Sequence, residues 1–425
     1  MLYDVAVLTM STIYYWHSAL YRHSGQRRLA WFKMRKRNIL PPLPVDRRPL
    51  IWIHAVSAGE VKVAEKLAEA LRRLLLRATI VISSSTEAGY AKAQNVIEAD
   101  VAIVMPLDLR KPLQQIFQHL QPSVLITVES ELWPHLFRIA EQMSVPINVT
   151  NATLSDRSFK NFKKHGWFAK ATLSKVSHFY CQNMSTMSRL NELGVADNKI
   201  DITGNMKLSP PSRQAIAHAQ ALVPACDRRE TKTITFGNIH PAEIKDTRDL
   251  ICRLHSVTDT RVLIVPRHID KFTPKDIKTT FGDDVKVVSD ISEISPSDRL
   301  VWVSAMHILE AIYAATDIAV VMGTFCDVGG HDLVEPVHFG ALTFYGPNVE
   351  KQMSLHAEMS ALMPWAQVRD YNALYESLVE MLEVEYLWNT RVNELHSALA
   401  QFASITNDVA CAIVERNQLK DQNAS

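Results

Sequence analysis

Along most of this chain, short apolar runs end in small or polar residues and are followed by stretches with helical spacing. Runs at 50–54, 79–84, 101–105, 124–128, 147–150 and 178–181 read as strands of one parallel sheet. A second series at 233–236, 262–265, 285–288, 300–303, 318–321 and 342–344 reads as another. Two similar α/β halves are therefore predicted. The segment 204–211 and the polar stretch beyond it resemble a hinge. Helical patterns from about 373 to 418 are expected to pack back across both halves, and no internal repeat is visible.

Length agrees with this division, because 425 residues exceed what one hydrophobic core usually serves. Lys and Arg number 46 against 45 Asp and Glu, which gives no global case for nucleic-acid binding. The charge is uneven, however. Arg27, Arg28, Lys33, Arg35, Lys36, Arg37 and Arg47 crowd a short stretch in which Asp46 is the only acid.

This collar follows an apolar, aromatic stretch, 1–21, whose one acidic residue is Asp4. With no small-residue cleavage site and with positive charge after the apolar part, a removable secretory signal is disfavoured. A membrane anchor is expected, either spanning or interfacial, with Tyr14, Tyr15, Trp16 and Tyr21 at headgroup depth and the basic residues on anionic lipid. The alternative is an amphipathic helix docked on the protein itself. Five cysteines without a CxxC pair fit a reducing compartment and argue against a cysteine metal site.

The first half carries its chemistry at the ends of its strands. HAVSAGE at 54–60 follows an apolar run and opens a helix, a turn that puts Ser57, Gly59 and the loop amides at a helix N-terminus and offers Glu60 as a general base. Glu129 and Glu131 in VESELWP follow a strand directly, as a hydroxyl-binding pair or as a capping pair. In NATLSDRSFKNFKKHG, Arg157, Lys160, Lys163 and Lys164 interleave with Ser155, Ser158, Phe159 and Phe162. That segment is either a solvated basic face or a surface for anionic headgroups.

In the second half, Arg267 and His268 stand just beyond a strand, where a guanidinium clamps phosphate or makes a surface ion pair. Gly329, Gly330, His331 and Asp332 then precede a helical run toward Glu335, a turn expected to bind an anion, with Glu335 placed to bond a ribose diol. A nicotinamide-dependent Rossmann enzyme is not supported, since no GxGxxG opens the first helix.

HAVSAGE, PLDL at 106–109, ESELWP, NATLSDRS, GNMK at 204–207, PRH at 266–268 and GGHDLVEP at 329–336 occur in the order seen in the 3-deoxy-D-manno-octulosonic acid (Kdo) transferases of lipopolysaccharide synthesis, which the chain resembles over nearly its whole length. The resemblance implies a GT-B type α/β fold: two Rossmann-like domains facing across a cleft, with an N-terminal membrane-anchor helix. The corresponding boundaries are 1–40 for anchor and collar, 41–205 for an acceptor-binding domain, 206–372 for a nucleotide-sugar domain and 373–425 for the C-terminal helices.

By the same resemblance, Glu60 matches the base of an inverting transferase that moves Kdo from CMP-Kdo to a lipid A precursor. It implies no metal and no cofactor beyond that donor substrate, a place on the cytoplasmic face of the inner membrane, and no nucleic-acid partner. Arg267 and His268 match residues near CMP; Met306, His307 and Ile308 match an element near the base; and Gly329, Gly330, His331, Asp332, Leu333, Val334 and Glu335 match the nucleotide-binding turn. Ser57, Gly59, Glu129, Glu131, Ser155, Arg157 and Ser158 fall on the acceptor side.

Departures concentrate in the second half. Ile244 replaces a Glu, Lys271 an Arg, His307 a Gly and Asp332 an Asn of the family pattern. An intact first half beside an altered second half leaves two further readings: a paralogue using another nucleotide sugar or acceptor, and a catalytically degenerate glycolipid-binding protein at the membrane.

Overall fold

The computed structural model describes residues 3, 7–13, 25–37, 39–44, 48–130, 132–211, 213–222, 231–306 and 308–420. They form two compact units, one made of 1–207 and 404–425, the other of 208–403.

The first unit holds seven parallel strands: β1 (Leu50–His54), β2 (Thr79–Ser84), β3 (Val101–Val104), β4 (Val124–Val128), β5 (Ile147–Ala152), β6 (His178–Cys181) and β7 (Ile200–Ile202). Their spatial order is β3-β2-β1-β4-β5-β6-β7. Strands β1, β2 and β4 are buried throughout, as expected for a parallel sheet covered on both faces. Trp52 on β1 is fully buried; its ring packs edge-on against Phe117 at 5.0 Å while its Nε1 donates to Ser83 Oγ at 2.8 Å. Truncating such a side chain to Ala costs roughly 3–5 kcal/mol. β7 is an edge strand of three residues with Asp201 at its centre, too short and too polar to stand out in the sequence.

The second unit holds β8 (Thr233–Ile239), β9 (Arg261–Pro266), β10 (Lys286–Val288), β11 (Leu300–Val303), β12 (Ile318–Val321) and β13 (Leu342–Tyr345), in the order β10-β11-β9-β8-β12-β13. Trp302 on β11 anchors its core against Phe272 and Phe281. In each sheet the strand order reverses once, between β1 and β4 and between β8 and β12. Ligands of open α/β sheets bind outside the carboxyl ends of strands at such reversals.

The C-terminal helices divide between the units. Tyr371–Glu383 and Glu385–Phe402 lie in the second, and Ile405–Arg416 packs on the helix Ala58–Leu74 of the first with Val409, Ala410 and Ile413 buried. Among the described residues the stretch long and apolar enough to cross a membrane by length and composition is Glu385–Arg416. It breaks into two helices around 403–404, one in each unit.

Much of the expected anchor, including Tyr14, Tyr15, Trp16 and Tyr21, lies outside the described residues. Tyr3 and the helix Gly25–Arg37 are fastened to the first unit. The Tyr3 hydroxyl donates to Asp108 at 2.8 Å, and its ring stands edge-on to His135 at 4.7 Å. In the helix Gly25–Arg37, Trp31 and Phe32 are buried, and Trp31 Nε1 donates to the Ser85 carbonyl at 2.8 Å. Arg35, counted in the basic collar, turns inward and donates to the carbonyls of Met105 and Pro106 at 2.9 and 3.1 Å.

Candidate functional site

In the first unit five sequence motifs meet around the reversal between β1 and β4. The chain leaves β1 at His54 and enters the helix Ala58–Leu74 through a turn capped by Ser57, whose Oγ accepts the Glu60 amide at 3.3 Å. Glu60 folds back on the turn: Oε2 accepts the Val56 amide at 2.8 Å, and Oε1 accepts the Ser57 hydroxyl at 2.9 Å. The carboxylate is 8 % exposed. It thus caps the helix while sitting at its positive end, a reciprocal Ser-x-x-Glu arrangement that the sequence reading missed. At the end of β2 and just beyond it, the hydroxyls of Ser84 and Thr86 both donate to the Val56 carbonyl at 2.8 Å. Gly59 is exposed.

Behind this turn the His54 ring is buried, 2.9 Å from Ser83 Oγ and edge-on to Trp133 of ESELWP. Burial, and then the nearby Arg35 charge, lower its pKa to about 3 against the bond to Ser83, so the ring is neutral. The PLDL loop supplies Asp108, which accepts the amides of His135 and Leu136 and so caps the helix Pro134–Gln142, whose own N-cap residue Trp133 makes no cap bond.

Glu129 ends β4 with a left-handed backbone, φ 63°, and its carboxylate lies 2.6 Å from the Lys207 ammonium of GNMK. Asn151, also left-handed at φ 51°, accepts the Met206 amide and brings NATLSDRS to the same place. Glu131 lies outside the described residues. Ser155 caps the helix Asp156–Lys164, accepting the Ser158 amide at 3.2 Å and bonding its hydroxyl at 3.0 Å. That helix buries none of its residues. Arg157, Lys160, Lys163 and Lys164 are exposed along it, and Trp167 just beyond is 80 % exposed.

In the second unit the groups gather at the reversal between β8 and β12. Glu243, 1 % exposed, accepts the Gly323 amide at both oxygens (2.7 and 2.9 Å), the Phe325 amide at 3.2 Å and the His240 amide at 3.1 Å. Burial pushes its pKa up, and the three amides oppose that. One carboxylate therefore ties the turn after β8 to the loop after β12. On this tie the His240 and His331 rings meet, Nε2 to Nε2 at 2.8 Å. Arg267 and His268 stand exposed after β9, the His268 ring 5.8 Å from His240.

Asp332 accepts the amides of Val334 and Glu335 at 3.0 and 3.3 Å, and Gly330 donates its amide to the Gly323 carbonyl at 2.9 Å. These three donors are occupied within the loop. Leu333 and Val334 are core residues, and Glu335 opens a helix of only four residues. Met306 is exposed and Ile308 half-buried; His307 lies outside the described residues. Among the described residues no three His, Cys, Asp or Glu side chains are grouped to hold a metal ion.

The sequence profile described as 3-Deoxy-D-manno-octulosonic-acid transferase (kdotransferase) matches residues 24–209. Over 347 residues the chain is 28 % identical to the 3-deoxy-D-manno-octulosonic acid transferase of Chlamydia muridarum, covering 79 % of each protein. The chain is thus similar to Kdo transferases, by the profile over residues 24–209 and by this relative over most of its length. It is also 27 % identical over 351 residues to a bifunctional glycosyltransferase/methyltransferase of Fusobacterium nucleatum; the match takes in 81 % of this chain but only 54 % of that protein, about half its length. Among solved structures, a UDP-N-acetylglucosamine 2-epimerase superposes with a TM-score of 0.56 at 13 % identity, covering 90 % of this chain and 99 % of that one. This likeness concerns the fold, a two-unit α/β fold of GT-B type.

Proposed function

We propose that the protein is an inverting glycosyltransferase that moves Kdo from CMP-Kdo to a lipid A precursor, with Glu60 as general base. The observation that carries the reading is Glu60 itself, a carboxylate locked by the Val56 amide and the Ser57 hydroxyl at the sheet reversal. Held there, it would take the proton of the acceptor hydroxyl as that oxygen attacks the anomeric carbon, and one base is enough for inversion. Lys207 and Glu129 would orient the acceptor beside it. Arg267, His268 and the His240–His331 pair supply the cationic and hydrogen-bonding groups for the nucleotide phosphate.

Membrane association belongs to the same proposal. The N-terminal stretch would anchor the chain at the cytoplasmic face of the inner membrane. The helix Asp156–Lys164 with Trp167 would add a basic and aromatic contact to anionic headgroups. The test is incubation of the full chain with CMP-Kdo and tetraacylated lipid A precursor, followed by mass spectrometry of the lipid. A mass gain of one or more Kdo units is expected; an unmodified lipid together with no CMP-Kdo binding by calorimetry would refute the reading.

A further inference from the structure

The His240–His331 contact is a proton-sharing arrangement. The ring planes lie within 8° of parallel, with the two Nε2 atoms 2.8 Å apart. Each neutral imidazole carries one N–H, so one Nε2 donates and the other accepts. The donating ring then keeps a lone pair on its Nδ1, where a further proton can be added without breaking the contact.

The backbone is shaped to admit the pair. Gly323 has φ +77°, and a Cβ there would lie 2.9 Å from His331 Cδ2 and 3.3 Å from His240 Cδ2. Its amide is the one held by both oxygens of Glu243. The charges acting on the rings are cationic: Arg267 from the turn after β9, and Lys351 after β13. The carboxylates of the cluster are turned to backbone amides, Glu243 to those of Gly323, Phe325 and His240, and Asp332 to those of Val334 and Glu335. Burial, and then Arg267, His240, Lys351 and His268, lower the His331 pKa to about 3, while burial, His268, Arg267 and Lys351 lower that of His240. At neutral pH the pair is uncharged and surrounded by positive charge, an environment that an arriving anion would reverse.

We propose that the His240–His331 pair is the proton donor to the leaving phosphate: it takes up one proton as the phosphate of the nucleotide sugar binds and delivers it when the nucleotide departs. The inference rests on the donor reading given above. The acceptor oxygen forms its bond to the anomeric carbon, and its proton goes to Glu60. The bond between that carbon and the phosphate oxygen breaks, leaving its electron pair on the oxygen, which takes the proton from the pair. The nucleoside monophosphate leaves as the monoanion, and the two rings return to neutrality. Positioned proton transfer of this kind contributes about 10²–10⁴-fold.

The test is calorimetric titration of the full chain with CMP at pH 7.5, in two buffers of different ionisation enthalpy. At this pH the phosphate of CMP is almost wholly dianionic, its second pKa being near 6. The expected result is uptake of about half a proton or more per CMP by the wild type, reduced at least fivefold in His240→Gln and in His331→Gln. Binding without proton uptake by the wild type, or undiminished uptake in both variants, overturns the proposal; the wild-type titration decides alone if a variant fails to fold. No CMP binding by the wild type would instead refute the donor reading, and the proposal with it. Steady-state kinetics give a second readout: His331→Gln should lower kcat about a hundredfold with the donor KM changed only a few-fold, whereas a purely structural or binding role would move KM.

Discussion

The Lys207 ammonium lies 2.6 Å from the Glu129 carboxylate, and Glu129 adopts a left-handed backbone, φ 63°, to present it. A non-glycine residue in that conformation costs about 1 kcal/mol or more, a cost seen mostly where function holds it in place. Glu129→Gly removes the strain and the ion pair together, and a pair whose lysine and glutamate side chains are 33 % and 18 % exposed is worth about 1 kcal/mol. Thermal melts of Glu129→Gly should therefore stay within a few degrees of wild type, while transfer to the lipid acceptor falls at least tenfold. Unchanged transfer would remove Glu129 from the site.

On the proposed reading Glu60 has two roles, base and cap, that substitution can separate. Glu60→Gln keeps one acceptor oxygen for the turn but loses the base, so kcat should fall about 10²–10⁴-fold. Ser57→Ala deletes the cap and should cost about 1 kcal/mol of stability while keeping most of the turnover. A Glu60→Gln enzyme that turns over normally would mean that the capping role is the whole role.

Burial holds the His54 pKa at about 3. In the unfolded chain this ring titrates near 6.5. Between those values the unfolded state binds a proton that the folded state does not, so the stability present above pH 6.5 is lost as the pH falls toward 3. Each such ring contributes a slope of about 1.4 kcal/mol per pH unit. Calorimetric melts from pH 7.5 to 4.5 should show a falling Tm, with a shallower fall in His54→Gln. Equal slopes for the two proteins would contradict the burial argument.

Glu243 accepts amides from two separate segments. Glu243→Gln replaces one acceptor oxygen with a donor facing those amides, and losing a buried bond to a charged group costs about 1.5–3 kcal/mol. Lower stability and a donor KM raised tenfold or more are expected, because the His331 loop loses its tether. Urea unfolding and donor titration measure the two effects separately.

Lys160, Lys163, Lys164 and Trp167 line an exposed face. Juxtamembrane Lys residues contribute about 1 kcal/mol each on anionic lipid. Replacing the three lysines and Trp167 with Ser should cut binding to phosphatidylglycerol vesicles by at least two orders of magnitude in co-sedimentation, with much less effect on neutral vesicles. Equal binding by the variant and the wild type would leave the basic face as a solvated surface.

The parallel strands of both units were legible because runs such as 50–53 and 318–321 are apolar throughout and buried in the sheet. β7 was not, since three edge residues around Asp201 carry no such pattern. The turns at Ser57 and Ser155 could be located from local residue types. Contacts between distant positions had no local trace: Glu129 meets Lys207, Glu243 meets Gly323, and His240 meets His331. Arg35 reads as a lipid-facing charge in sequence and becomes a buried donor to two carbonyls because its helix docks through Trp31. Asp332, which departs from the Asn of the family pattern, is the acceptor for two of the turn's own amides.

The tie made by Glu243 has a consequence for entropy. A loop rich in glycine ordinarily loses much of its freedom when a ligand orders it, and that loss weakens binding. Here Gly323 and Phe325 are fastened to a buried carboxylate by the folded chain itself, so the ordering is completed during folding rather than at each encounter. A nucleotide arriving at His331 would meet a surface already in place, and its association should show little of the heat-and-entropy compensation that marks a loop closing around its ligand.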